Sequence, residues 1–200
     1  PKVPWAHLQI ANTYFKQNLF TDAVEHYKEL IAAFPTYRHL DIAQSRAALC
    51  YLKMGELERA RLEYKKLIEA YPESALVGNA YLKLAEIHYR DNEYKEGIAA
   101  YERYLSLYPQ TPKKNEVYFR IGKLHKYAHE YVPAIDALQQ AIGTYPHDAF
   151  NELALYHIAE CYLARKDYEQ ARVHYKQLVE TYPKSDVAAV GYHRIGDTYL

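Results

Sequence analysis

His125 and His129 stand four residues apart, the one pair among ten histidines at the spacing that lets two imidazoles on a single helix face share a zinc ion. A second candidate chemistry is ionic: Glu86, Lys123 and Glu160 follow one another at intervals of 37 residues, with Arg90 and Lys126 close by. A third is thiol chemistry at Cys50 and Cys161, the two cysteines of the chain. The sequence contains no nucleophile elbow, phosphate-cradling glycine loop, His-Glu-x-x-His motif or calcium loop. Catalysis therefore has no candidate residues and no cofactor is implied. An enzyme survives as a reading only if a catalytic domain lies outside these 200 residues.

What positions these groups is a strict period. Phe34-Pro35, Tyr71-Pro72, Tyr108-Pro109, Tyr145-Pro146 and Tyr182-Pro183 recur every 37 residues without drift, the mark of a tandem array. Counting units from Pro4, Asp41, Gly78, Asn115, Glu152 and Ala189, position eight is always small (Ala11, Ala48, Ala85, Gly122, Ala159, Gly196). Position twenty reads Ala23, Ala60, Gly97, Ala134 and Ala171, and position twenty-four reads Tyr27, Tyr64, Tyr101, Leu138 and Tyr175. Each unit reads as two antiparallel helices. In the second, the spacing predicts one from about Arg38 to Met54, an αL stop at Gly55, and another from about Glu58 to Tyr71, ended by Pro72. Asn18 and Asn92 take the place of Gly55 in units one and three. Ser74, Thr111, Asp148 and Ser185 are expected to cap the first helices, with Pro112 at N1 and Pro133 at the start of a second helix.

At 100° per residue, positions four, seven, eight and eleven of the first helix share a core face, and two, five, nine, twelve and thirteen share another. His125 takes the core slot of Tyr51 and His129 the corner slot of Gly55, so packing accounts for the pair better than zinc does. Cys50 and Cys161 both sit at position ten, three units apart; at ~10 Å per stacked unit a disulfide is out of reach and they read as packing residues. Core positions account for every tyrosine except Tyr37, Tyr89, Tyr127 and Tyr156. These, with Trp5, Phe15, Phe119 and Phe150, are aromatics the period does not require, and most fall on the second face of a first helix. Either they pack neighbouring helices or they form a binding surface. Lys123 between Glu86 and Glu160 reads first as an inter-repeat ion-pair ladder and otherwise as an anchor for an acidic partner.

The small residue at eight, aromatic at eleven, Ala at twenty, aromatic at twenty-four and proline at thirty-two together resemble the tetratricopeptide repeat over essentially the whole chain. The resemblance implies an all-α right-handed solenoid of five full repeats, at about 4–40, 41–77, 78–114, 115–151 and 152–188, plus the first helix of a sixth at 189–200, all in a single domain. It also implies that the second face lines a concave groove able to hold a protein or peptide segment, through Trp5, Leu8, Asn12, Phe15, Leu82, Glu86, Tyr89, Arg90, Phe119, Lys123, Lys126, Tyr127, Tyr156 and Glu160. Two departures matter. The usual unit has 34 residues, and the three extra ones are expected to lengthen the first helix by about a turn; the usual tryptophan at position four is replaced by His7, Gln44, Tyr81, Tyr118, Leu155 and Tyr192. The carboxylate clamp of chaperone cochaperones is disfavoured, since Leu8 and Leu49 stand where a Lys and an Asn would be required. Units of this length with Tyr-Pro-x-Ser resemble bacterial envelope proteins, the lipoprotein of the outer-membrane barrel-assembly machinery and the Tol-Pal coordinator.

Lys plus Arg and Asp plus Glu each number 25, so no net field recruits nucleic acid, and no apolar run reaches the ~20 residues of a membrane span. The envelope resemblance points to the periplasm or outer membrane and the unpaired thiols to a reducing cytoplasm, so both compartments stand. Tyr192, Ile195 and Tyr199 repeat core positions without a partner helix, and this face is expected to be covered by further chain or by self-association. The reading is a non-enzymatic interaction scaffold acting through its groove. The alternative is a structural array that builds a multiprotein or cell-envelope complex through its edges and convex face.

Overall fold

The computed structural model describes residues 2–143 and 149–199. The Tyr145-Pro146 pair and the Asp148 cap lie outside the described residues. All regular structure among the described residues is helical, in eleven helices. They are α1 (Lys2–Lys16), α2 (Phe20–Ala33), α3 (Leu40–Met54), α4 (Leu57–Ala70), α5 (Val77–Arg90), α6 (Tyr94–Leu107), α7 (Lys114–Tyr127), α8 (Tyr131–Ala141), α9 (Ala149–Ala164), α10 (Tyr168–Thr181) and α11 (Asp186–Asp197). No helix among the described residues is long and apolar enough to cross a membrane. The chain divides into two compact units, Pro1–Arg90 and Asp91–Leu200, the division falling between the two helices of the third repeat.

Each hairpin turns at position fifteen through a left-handed residue: Asn18, Gly55, Asn92, His129 and Lys166, with φ of 61°, 78°, 59°, 60° and 63°. At Gly55, His129 and Lys166 the next N–H reaches back to the carbonyl five residues before it, as in Glu56 N to Tyr51 O at 2.9 Å. That bond satisfies an orphan carbonyl and repays the αL conformation that a side chain makes costly. The second helices stop on the aromatic before proline, where Phe34, Tyr71, Tyr108 and Tyr182 take φ between −133° and −126°. The following proline ring disfavours the helical region for that residue.

At α3, α5 and α7 two of the three extra residues stay outside the first helix, whereas α9 and α11 begin at Ala149 and Asp186 and take in all three. Two successive turns follow each of these prolines, as in Ser74 N to Tyr71 O at 2.9 Å and Val77 N to Ser74 O at 3.1 Å, and α5 and α7 begin only at Val77 and Lys114. Ser74 and Thr111 therefore cap turns, accepting from Leu76 and Lys113, and Pro112 lies before the helix instead of at N1. Ser185 is a true N-cap, accepting from Val187 at the head of α11.

In each unit the core lies where small residues let paired helices close. Ala11, Ala23, Ala48 and Ala60 are wholly buried around Tyr27 and Tyr64 in Pro1–Arg90; Ala134, Ala159 and Ala171 are wholly buried around Leu138 and Tyr175 in Asp91–Leu200. The closeness is measurable at Gly122, where an added Cβ would stand 2.5 Å from Leu138 Cγ and 3.1 Å from the Ala134 carbonyl oxygen. At Gly196, the same repeat position on α11, an added Cβ meets nothing within 4 Å among the described residues. Cys50 and Cys161 are fully buried free thiols, pushed by that burial up to about 12 and about 11, so they are packing residues with little thiolate character.

Candidate functional site

The face of α7 at positions five, nine, twelve and thirteen carries Phe119, Lys123, Lys126 and Tyr127. Phe119 is only 7% exposed and belongs to the core, 5.3 Å from the Phe150 ring and 5.7 Å from His157. Of the groove residues expected from the sequence, Phe119 is thus a packing ring, and so is Leu8, buried on α1. Tyr127 stays 39% exposed, stacked on Tyr94 at 6.0 Å. The Lys123 ammonium lies 5.7 Å from the Phe119 centroid and 5.9 Å from that of Tyr127. Ring faces attract it, and no carboxylate among the described residues comes within ion-pair distance of it.

The rung expected from Lys123 to Glu160 is made by Lys126, which donates to Glu160 on α9 at 2.9 Å and to His157 Nδ1 at 3.1 Å. One further helical turn brings the Lys126 side chain to the neighbouring helix, while Lys123 lies back on the rings of its own. Glu160 also accepts from Tyr175 at 3.5 Å and faces Arg194 of α11 at 3.7 Å. Burial raises its pKa, but the Lys126 bond and charge, the Tyr156 hydroxyl and Arg194 outweigh that and hold it below the usual carboxylate value. His157 is held neutral: burial, then the charges of Lys126 and Lys123, lower its pKa to about 4. Tyr156, half-buried, packs on His157 at 5.4 Å and Tyr175 at 6.2 Å.

Lys126, Tyr127, His129, Tyr131, Glu160, Leu163 and Ala164 line a cleft of about 470 Å³. An ion pair beside two tyrosine rings can take a side chain that is apolar at its base and polar at its edge. His129, Tyr131, Leu163 and Ala164 are not among the groove residues expected from the sequence; the assignment of His129 to the hairpin corner and of Tyr131 to a core position hid that the αL turn at His129 sets its ring 3.0 Å from the Tyr131 hydroxyl.

In Pro1–Arg90 the expected groove residues do not make one site. On α5, Tyr89 is 41% exposed and Leu82 half-buried, while Glu86 is held by Lys83 at 2.8 Å and Arg90 at 2.6 Å. Burial raises the Glu86 pKa and those two cations more than reverse it. On α1, Trp5 is 57% exposed, Asn12 accepts from Tyr27 at 2.7 Å, and Phe15 packs on Phe20 at 5.7 Å under the Arg46 guanidinium. His125 bonds Glu130 at 2.7 Å and His129 turns to Tyr131, so the two nitrogens serve separate partners. Instead, His7, His26 and Glu29 of the first hairpin bring one ligand atom each within 4.8 Å of the others. Spaced by 19 and 3 residues on two helices, they match no short motif.

A family model described as outer membrane lipoprotein, YfiO, matches residues 45–129. Two tetratricopeptide-repeat models match residues 8–75, and 116–148 with 153–185. No curated protein matches the chain. Among solved structures, the MamA protein is similar at 20% identity and a TM-score of 0.74, over 90% of this chain and 92% of that one. A tetratricopeptide-repeat protein from Parabacteroides merdae is similar at 14% identity and 0.76, over 100% of this chain and 73% of that one. YrrB, described as a TPR protein with an unusual peptide-binding site, is similar at 15% identity and 0.71, over 94% and 90%.

Proposed function

Because the chain is a tetratricopeptide-repeat protein, we propose that it is a non-enzymatic scaffold that holds a segment of a partner protein against the α7–α9 face of Asp91–Leu200. The observation that carries this reading is the cleft beside exposed Tyr127, bordered by the Lys126–Glu160 pair, with the Lys123 ammonium 5.9 Å from the Tyr127 centroid and no carboxylate among the described residues at ion-pair distance from it. A partner side chain filling the cleft buries Tyr127, and an anchor of that kind supplies ~2 kcal/mol or more of binding energy. Lys123 steers an acidic group on the partner and sets orientation and rate more than affinity. The unusual peptide-binding site described for YrrB supports peptide binding by a repeat of this fold. The match to an outer membrane lipoprotein family supports a place in the bacterial envelope.

The test is to recover partners from the native source by affinity capture, then compare Tyr127→Ala and Lys123→Glu with Tyr101→Ala, which empties a core position. The first two lose partner binding with only a small shift in melting temperature, and the third loses far more stability. Full binding by Tyr127→Ala and Lys123→Glu overturns the reading.

A second reading, assembly into a larger complex, is favoured by α11. Tyr199 is 66% exposed at the position where Tyr51 is buried, and Gly196 meets none of the described residues where Gly122 is sealed. A helix with a small residue four positions before a large apolar one would fit there as Ala134 and Leu138 of α8 fit on Gly122 of α7.

A further inference from the structure

We propose that the first hairpin carries a divalent transition-metal site formed by His7 of α1 and His26 and Glu29 of α2. One ligand atom from each residue lies within 4.8 Å of the others. Two imidazoles and one carboxylate are the donor set that suits zinc and its late first-row neighbours, with water completing the coordination. The ligand atoms need to draw in by about an ångström to reach Zn–N distances of ~2.0–2.1 Å. Glu29 is the member free to move, since its side chain is mostly exposed and lies one turn from His26, 3.1 Å from the His26 Nδ1.

The two imidazoles are held in place by packing that has nothing to do with a metal. The His26 ring stacks on Tyr14 at 5.2 Å and 15°, and the His7 ring tilts against Phe34 at 5.6 Å. A second observation points the same way. His7 Nδ1 is shut off from solvent and makes no hydrogen bond among the described residues. A neutral imidazole always offers one acceptor nitrogen, and a buried polar atom without a partner calls for an account. A cation held at this cluster gives the His7 ring a bonding partner through one nitrogen and fixes its tautomer. Binding would also clip α1 to α2, so the metal stabilises the N-terminal hairpin by preferring the folded chain.

The experiment uses the whole chain without a histidine tag, titrated with Zn²⁺ by calorimetry and with Co²⁺ by visible absorption. Variants are Glu29→Gln and His7→Gln, with His129→Ala as a control at a histidine outside the cluster, and circular dichroism checks that each folds. The wild type and His129→Ala bind one equivalent of Zn²⁺, raise their melting temperature with it, and give the visible band of low-coordinate Co²⁺. Glu29→Gln and His7→Gln lose more than the roughly tenfold affinity that removing an outer-shell partner costs, and their melting temperature no longer responds to Zn²⁺. The proposal is overturned if the wild type takes up no stoichiometric Zn²⁺, if Glu29→Gln and His7→Gln bind like the wild type, or if His129→Ala is the variant that loses the ion.

Discussion

Glu63 in one compact unit and Glu160 in the other each stand among several donors, and the two are used differently. Glu63, in Pro1–Arg90, is 4% exposed; it accepts from the Gln44 amide and meets Lys66 at 3.1 Å and Lys28 at 3.6 Å. Gln44 occupies the position-four slot, so this acid braces the two helices of one hairpin, α3 and α4, and Lys28 reaches it from α2 of the preceding repeat. Glu160, in Asp91–Leu200, sits at position nine, receives Lys126 from the neighbouring repeat and lines a cleft. Similar donors around an acid thus give a sealed brace at Glu63 and an open ionic border at Glu160. The face on which the acid stands decides which it becomes.

The largest effect that separates sealed from open residues is expected within α7. Phe119→Ala leaves a hole in the cluster with Phe150 and Ile158 and should cost ~3–5 kcal/mol in a urea melt. Tyr127→Ala, eight residues on, removes one exposed ring stack and should cost under ~1.5 kcal/mol. Equal losses at the two positions would erase the distinction.

The next effect is a pH dependence that His157, on the open side, dominates. In the unfolded chain His157 takes up a proton near its ordinary value of 6.5, and in the folded chain only near 4. Stability is therefore full above pH 6.5 and falls as pH drops toward 4, by up to ~3 kcal/mol for this group. His174, lowered by burial, adds in the same direction. Glu160 and Glu86, whose values are depressed, lose their contribution only at lower pH still. His157→Gln should flatten the stability profile between pH 6.5 and 4, measured by denaturation at fixed ionic strength.

The smallest effect addresses the carboxylates themselves. Glu63→Ala takes the carboxylate partner from the buried Gln44 amide, which keeps the backbone carbonyl of residue 63 at 3.2 Å, and should cost ~1–3 kcal/mol. Glu160→Ala frees groups that water can reach through the cleft, so its loss of stability should be smaller and its effect on partner binding larger. A reversed order in thermal melts would mean that Glu160 is the brace.

How much of this the sequence revealed depends on whether a residue obeys the period. The small residues at eight and twenty, the rings at twenty-four and the αL turns at Asn18, Gly55 and Asn92 are where the repeat requires them, because a close helix pair leaves no other choice. The αL residues His129 and Lys166 carry no such signature, yet the hairpin imposes the same φ on them. On the groove face the period fixes direction but not depth. Phe119 and Tyr127 both point to that side, and only the packing of Phe150 and His157 over Phe119 separates them. Side-chain reach was equally hidden: the ladder rung came from Lys126 because Lys123 lies back over its own helix's rings.

The measurement that bears most directly on the partner-holding role is site-specific photo-crosslinking in the native source. A benzoylphenylalanine placed at Tyr127 on α7 is compared with one at Val173, an exposed site on α10, and one at Tyr192 on α11. The account predicts a discrete adduct from position 127, competed away by excess unlabelled chain and absent from position 173. Adducts only from 173 or 192, with none from 127, would contradict it and make the helix edges the working surface.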